Sequence, residues 1–234
     1  MKKTVLFSMV LVLLGAMGGT GLAWAQVLLP KGTLPPTKIV FISSRTYAGN
    51  LGGLAGADAK CQELARAAGL SGTYKAWLSD GKGANPITRF THNPGPYKLR
   101  NGLKVANSWN ELITTGKILQ PINIMEQGYK MTIPYYVWTG FVPSGSINPD
   151  GSIIWVTTSS MLGTAHSCNG WTTGVSLNIS DAYTFPTWGY CGYSYPTDSP
   201  IAIPRNPYHW TYAAQKDCDA TLYSQPKPIY CFEQ

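Results

Sequence analysis

Charge is scarce in this chain. Of its 234 residues, 12% are Asp, Glu, Lys or Arg, and an equal 12% are Phe, Trp or Tyr. That balance excludes a highly charged disordered chain, because the apolar content of 44% is enough to build a core. Catalytic and metal motifs are lacking too. There is no H-E-x-x-H for a zinc protease, no G-x-S-x-G for a nucleophile elbow and no C-x-x-C for a zinc ribbon or a thioredoxin-type redox site. The histidines, His92, His166 and His209, are scattered. His166 stands two residues before Cys168, but a nucleophile needs a base positioned in space, which that spacing does not provide. After the N-terminal segment no apolar run approaches the ~20 residues of a spanning helix, and no internal repeat occurs.

The N-terminal segment has its own logic. Lys2 and Lys3 precede an apolar run from Thr4 to Leu14, and Ala23-Trp24-Ala25 has the small-x-small form of a cleavage site. We read residues 1–25 as a secretory signal peptide, 26–37 as a Pro/Gly linker and 38–234 as the folded domain. The expected localisation is secretion or the outer cell surface. Cleavage leaves 16 basic against 11 acidic residues, distributed unevenly. Residues 26–130 carry 13 Lys/Arg against 5 Asp/Glu, and residues 131–234 carry 3 against 6. A basic half attracts polyanions. Nucleic acid is not the expected partner, because the chain is exported and has no basic helix or nucleic-acid motif.

Local patterns place the elements. Lys38-Ile39-Val40-Phe41-Ile42 reads as an opening strand. In residues 54–69, Leu54, Ala57, Cys61, Leu64, Ala65 and Ala68 recur at helical spacing before Gly69, so Cys61 falls on the buried stripe. Tyr74, Ala76 and Leu78 alternate as in a strand. Asn101-Gly102 marks a hairpin turn. Ser108 and Glu111 bracket the start of a short second helix as a capping box. Residues 135–141 and 152–156 are strand candidates, separated by the turn Asn148-Pro149-Asp150-Gly151. Residues 172–216 show no helix, and 229–232 read as a closing strand.

Five cysteines, at 61, 168, 191, 218 and 231, imply disulfides in an exported chain, and they allow fifteen ways of making two bonds. The stretches YAGNLGGLAGADAKCQ (47–62), GTYKAWLSD (72–80), VANSWNELI (105–113), VWTGF (137–141), CNGWTT (168–173) and IYCFEQ (229–234) resemble a bacterial family of secreted domains related to endostatin and C-type-lectin-like domains. The resemblance implies an α+β fold, with two helices on a small, curved antiparallel sheet and a long loop region. It implies the bonds Cys61–Cys231 and Cys168–Cys218, leaving Cys191 as the remaining thiol, with Cys191 also the alternative partner of Cys168. Similar bacterial surface proteins adhere to host matrix and plasma proteins, so an extracellular or cell-surface adhesion module for a protein or glycan is the implied function. Calcium-dependent lectins of this fold use E-P-N or Q-P-D and W-N-D triplets. Asn148-Pro149-Asp150 begins with the wrong residue and no W-N-D precedes Cys218, so binding is expected to be calcium-independent, with no metal or cofactor. The alternatives are a structural component of the envelope or a filament, and an enzyme related to formylglycine-generating enzymes, whose wider motif set is missing.

Two surfaces stand out as binding candidates. Residues 181–210 combine many aromatic residues and prolines with few charges, and Trp188, Tyr190, Tyr193, Tyr195 and Trp210 are the ligand-contact candidates, suited to protein or sugar faces. Within residues 75–104, Lys75, Lys82, Arg89, Lys98, Arg100 and Lys104 meet a single acid, Asp80. Lys98, Arg100 and Lys104 are the candidates for an acidic polysaccharide.

Overall fold

A computed structural model of the chain describes residues 35–115, 118–132, 135–147, 153–157, 167–174, 188–194, 214–218 and 225–234. The signal-peptide segment, most of the linker, the Asn148–Gly151 turn, Tyr195 and Trp210 lie outside them. The described fold is mixed α/β, with a small sheet and a few helices. No helix among the described residues is long and apolar enough to cross a membrane.

The centre is a five-stranded sheet. Its strands are β1 (Lys38–Ile42), β2 (Tyr74–Ala76), β3 (Tyr97–Leu99), β4 (Lys104–Ala106) and β10 (Tyr230–Glu233), in the order β2-β10-β1-β3-β4. The two ends of the domain pair directly and antiparallel, Val40 opposite Phe232 and Ile42 opposite Tyr230. The expected antiparallel sheet needs one correction, since β1 and β3 run parallel, with Lys38 opposite Tyr97 and Val40 opposite Leu99. A parallel pair requires a long crossover. Here it contains helix α1 (Gly53–Ala67), β2 and the short helix α2 (Pro86–Arg89).

The sheet separates two apolar layers, which explains why its strands are apolar on both faces. Val40, Ile42, Tyr97, Leu99, Val105 and Phe232 point to one side. There they meet Trp77, Phe90 and Trp109, with Trp77 and Phe232 ring centroids 4.9 Å apart. Such ring pairs add roughly 0.5–1.5 kcal/mol beyond their area. Helix α3 (Trp109–Thr115) closes this layer. Ser108 Oγ accepts from Glu111 N at 3.1 Å, and Glu111 Oε2 accepts from Asn107 N at 2.7 Å, one residue upstream of the usual capping-box donor.

On the other side, Ala57, Cys61, Leu64 and Ala65 of α1 pack against Phe41, Ala76 and Cys231. The helix also closes the outer edge of β2. Asp58 Oδ1 accepts from Ala76 N and Gln62 Oε1 accepts from Tyr74 N, each at 2.9 Å. Four residues of helix rise about 6 Å and two residues of strand about 6.7 Å, so an i,i+4 pair of acceptors reaches alternate strand donors. An edge blocked in this way cannot template another strand.

Two disulfides, Cys61–Cys231 and Cys168–Cys218, tie this layer together, and Cys191 is buried outside both. Near the second bond the chain makes one left-handed turn, α4 (Cys168–Trp171), with φ of 51°, 54°, 69° and 67° in succession. Left-handed backbone costs roughly 1–2 kcal/mol for each of its non-glycine residues. The disulfide offsets part of that cost. So do two hydrogen bonds of 2.7 Å, a buried one from Trp171 Nε1 to Ser79 O and a partly buried one from Ser167 Oγ to Asp80 O. Gly49 lies against this bond. A Cβ there would stand 2.4 Å from Cys168 Sγ, so the position has no room for a side chain.

Residues further along the chain form two smaller sheets. β5 (Tyr135–Trp138), β8 (Trp188–Ser194) and β9 (Ala214–Asp217) pair in the order β5-β8-β9, and β6 (Phe141–Ile147) pairs with β7 (Ile153–Thr157). The expectation of a continuous irregular loop over 181–210 is therefore corrected at 188–194. That stretch is a central strand, antiparallel to both neighbours. It is the proline-free interval between Pro186 and Pro196, so both of its ladders can be complete.

Candidate functional site

The structure divides the six basic residues of 75–104: Lys82 is exposed away from the β3–β4 hairpin, and the other five fall into structural and available groups. Arg89 is structural. Its Nη2 contacts both carboxylate oxygens of Asp58, at 2.7 and 2.6 Å, and its Nη1 reaches Ala76 O and Leu78 O at 3.4 and 3.3 Å. The carboxylate comes from α1, outside the window in which only Asp80 was in view. Lys75 Nζ donates to Arg89 O at 2.7 Å and so ties the end of α2 to the sheet. Elsewhere Lys38 pairs with Glu233 at 3.6 Å, and Lys227 lies 4.3 Å over the Trp138 ring.

Lys98, Arg100 and Lys104 lie together on the hairpin of β3 and β4, and turn chemistry sets their geometry. Gly102 N donates to Leu99 O at 2.9 Å and Leu99 N to Leu103 O at 2.8 Å, closing a tight loop. Gly102 has φ of 86°, a conformation that a side chain would strain. Leu103 N is held by Asn101 Oδ1 at 3.2 Å.

Beyond the turn the register shifts, because Lys98 opposes Lys104 while Tyr97 opposes Ala106. The extra residue, Val105, makes a β-bulge. Consequently Val105 and Ala106 are both fully buried, and Lys104 comes to face Lys98.

Tyr97 and Leu99 enter the core on either side of Lys98, which turns to the opposite face of the sheet. Lys98 is half-buried, and Arg100 and Lys104 are exposed. Lys104 Nζ donates to Asn107 Oδ1, a neutral acceptor, at 2.8 Å. Among the described residues neither Lys98 nor Arg100 makes an ion pair or a side-chain hydrogen bond. Ile39, opposite Lys98, leads to a strand carboxylate, Glu233 of β10. That carboxylate is already engaged by Ile39 N at 2.8 Å and by Lys38. Tyr74 senses the same surface. Burial pushes its phenol well above the ordinary tyrosine range, Glu233 adds to the rise, and Arg100 opposes it. Like charges directly opposite one another on a sheet are destabilising. The hairpin thus gathers three cations that form no ion pair among the described residues, and an anion would relieve their repulsion.

The aromatic candidates are placed only in part. Trp188, Tyr190 and Tyr193 lie on β8, in a strand rather than at the tip of a loop. Cys168 is committed to a disulfide and is not a nucleophile as it stands. No cluster of three or more His, Cys, Asp or Glu able to hold a metal occurs among the described residues. Sequence reasoning missed Leu103 and Leu119, which are exposed beside the basic hairpin. The visible sign was an apolar residue directly after Asn101-Gly102. Comparison with known proteins gives no matching family model and no matching curated protein.

Proposed function

We propose that this chain is an extracellular or cell-surface binding module of C-type-lectin-like architecture that recognises an anionic ligand, with acidic polysaccharide as one class, through the β3–β4 hairpin without calcium. The observation that carries this reading is the direct opposition of Lys98 and Lys104, with Arg100 in the turn and, among the described residues, no carboxylate paired with any of the three. Each cation that meets an anionic group of the ligand releases condensed counterions, so affinity falls as salt rises. Two disulfides suit an oxidising, extracellular setting. The start of the chain has the pattern of an export signal.

Heparin-column retention tests the reading. The triple variant Lys98→Gln/Arg100→Gln/Lys104→Gln is compared with Lys60→Gln/Arg66→Gln/Lys82→Gln, which removes the same charge elsewhere. The hairpin variant should elute at much lower salt than both the control and the wild type. Equal elution of the two triple variants would show that only overall charge matters and would remove the hairpin as the site.

A further inference from the structure

The anion-binding hairpin also displays apolar side chains that the core does not use. Three large hydrophobic residues are exposed among the described residues: Leu103 at 49%, Leu119 at 50% and Tyr129 at 69%. Two of them flank the basic cluster. Leu103 follows the turn glycine and directly precedes Lys104. Leu119 lies along the outer side of β4, where its N–H donates to Val105 O at 2.8 Å. Leu103 directly precedes Lys104 and Leu119 is hydrogen-bonded to Val105, the residue after it, so both leucines lie at the outer β4 edge that carries Lys104. A soluble polysaccharide offers such leucines no apolar surface.

We propose that the anionic surface met by this hairpin is that of a lipid bilayer. Lys98, Arg100 and Lys104 meet headgroup phosphates, and Leu103 and Leu119 enter the boundary between headgroups and acyl chains. This inference rests on the anion-binding reading and names the class of ligand. Charge complementarity selects the occupant: three cations without an ion pair among the described residues favour an anionic leaflet, at roughly fivefold in binding for each basic residue near the surface. The leucines add the apolar contribution that distinguishes a membrane from a soluble polyanion. Because each is already half-exposed, entering the interface requires no opening of the core.

The test is sedimentation of the exported protein with vesicles of phosphatidylglycerol mixed with phosphatidylcholine, and with vesicles of phosphatidylcholine alone. Wild type should bind the anionic vesicles and leave the zwitterionic ones. Leu103→Ser/Leu119→Ser should reduce vesicle binding about tenfold, with melting temperature and heparin retention unchanged. If that variant is unstable, Leu103→Phe provides a second arm and should raise vesicle binding. The basic triple variant should lose both vesicle and heparin binding. Wild-type failure on anionic vesicles with normal heparin retention would overturn the lipid inference alone, as would full vesicle binding by a folded serine variant. Unchanged heparin retention in the basic triple variant would overturn the anion-binding reading itself.

Discussion

Removing the Cys61–Cys231 bond is the perturbation whose size follows most directly from the structure. The bond joins helix α1 to the closing strand β10, with a Cα–Cα distance of 5.5 Å and a sequence separation of 170 residues. Both cysteines are fully buried between the helix and the sheet. In the chain-entropy model a loop of that length confers about 5 kcal/mol. The inner Cys168–Cys218 bond spans 50 residues of the same loop, so it shortens the outer loop when both are present. The dependence is logarithmic, and the correction is only a few tenths of a kcal/mol. Cys61→Ala/Cys231→Ala should therefore lose up to ~5 kcal/mol, and at least ~2 kcal/mol if the reduced chain retains structure. For a domain of this size that is a fall in melting temperature of roughly 5–20 °C. The assay is reversible thermal or urea unfolding followed by circular dichroism. A loss below ~1 kcal/mol would refute the reasoning, because it would mean that the bond does not restrain the unfolded chain.

Four further outcomes follow. Arg89→Met should cost about 2–4 kcal/mol by urea denaturation, because it leaves the Asp58 carboxylate, 25% exposed, without its cation. Gly49→Ala should cost about 1–3 kcal/mol by the same method, since the new methyl overlaps the Cys168–Cys218 bond. Burial raises the phenols of Tyr74 and Tyr230 and pushes Tyr97 up to about 12. A raised folded-state pKa contributes stability that is complete below the unfolded value of about 10 and is lost as pH rises through the folded values. Stability should thus decline above pH ~10, with the last tyrosinate absorbance appearing together with unfolding. Ionisation of all phenols while circular dichroism still shows the native fold would contradict that assignment. Gly102→Ala should cost about 1 kcal/mol and weaken heparin retention, because the turn sets the Lys98–Lys104 register.

The elements written in short-range pattern were legible in the sequence: β1, α1, the hairpin turn at Asn101-Gly102, the start of α3 and the closing strand. Each depends on residues a few positions apart. Pairing partners do not, so nothing local to Lys38–Ile42 says that β3 lies beside it in parallel. Helix α2 had a signal that went unread, in Asn85-Pro86 with Thr88. Asn85 Oδ1 accepts from Ile87 N and Thr88 N, and Thr88 Oγ1 accepts in return from Asn85 N. Strand β8 was obscured by the prolines on either side of it. The basic cluster was legible as composition, but its division was not. Whether Arg89 is surface charge or a buried tie depends on Asp58, a residue on another element. The opposition of Lys98 and Lys104 depends on a one-residue bulge that hydrophobic alternation alone does not reveal.

The central claim is that the β3–β4 hairpin is the anion site, and the salt dependence of binding tests it most directly. Affinity for a sulfated oligosaccharide of fixed length is measured by calorimetry across a salt series, for wild type and for the Lys98→Gln/Arg100→Gln/Lys104→Gln variant. The account predicts weaker binding by the variant and a slope of log affinity against log salt that is shallower by roughly 2–3, about one for each lost contact. The same affinity and the same slope in both proteins would contradict it.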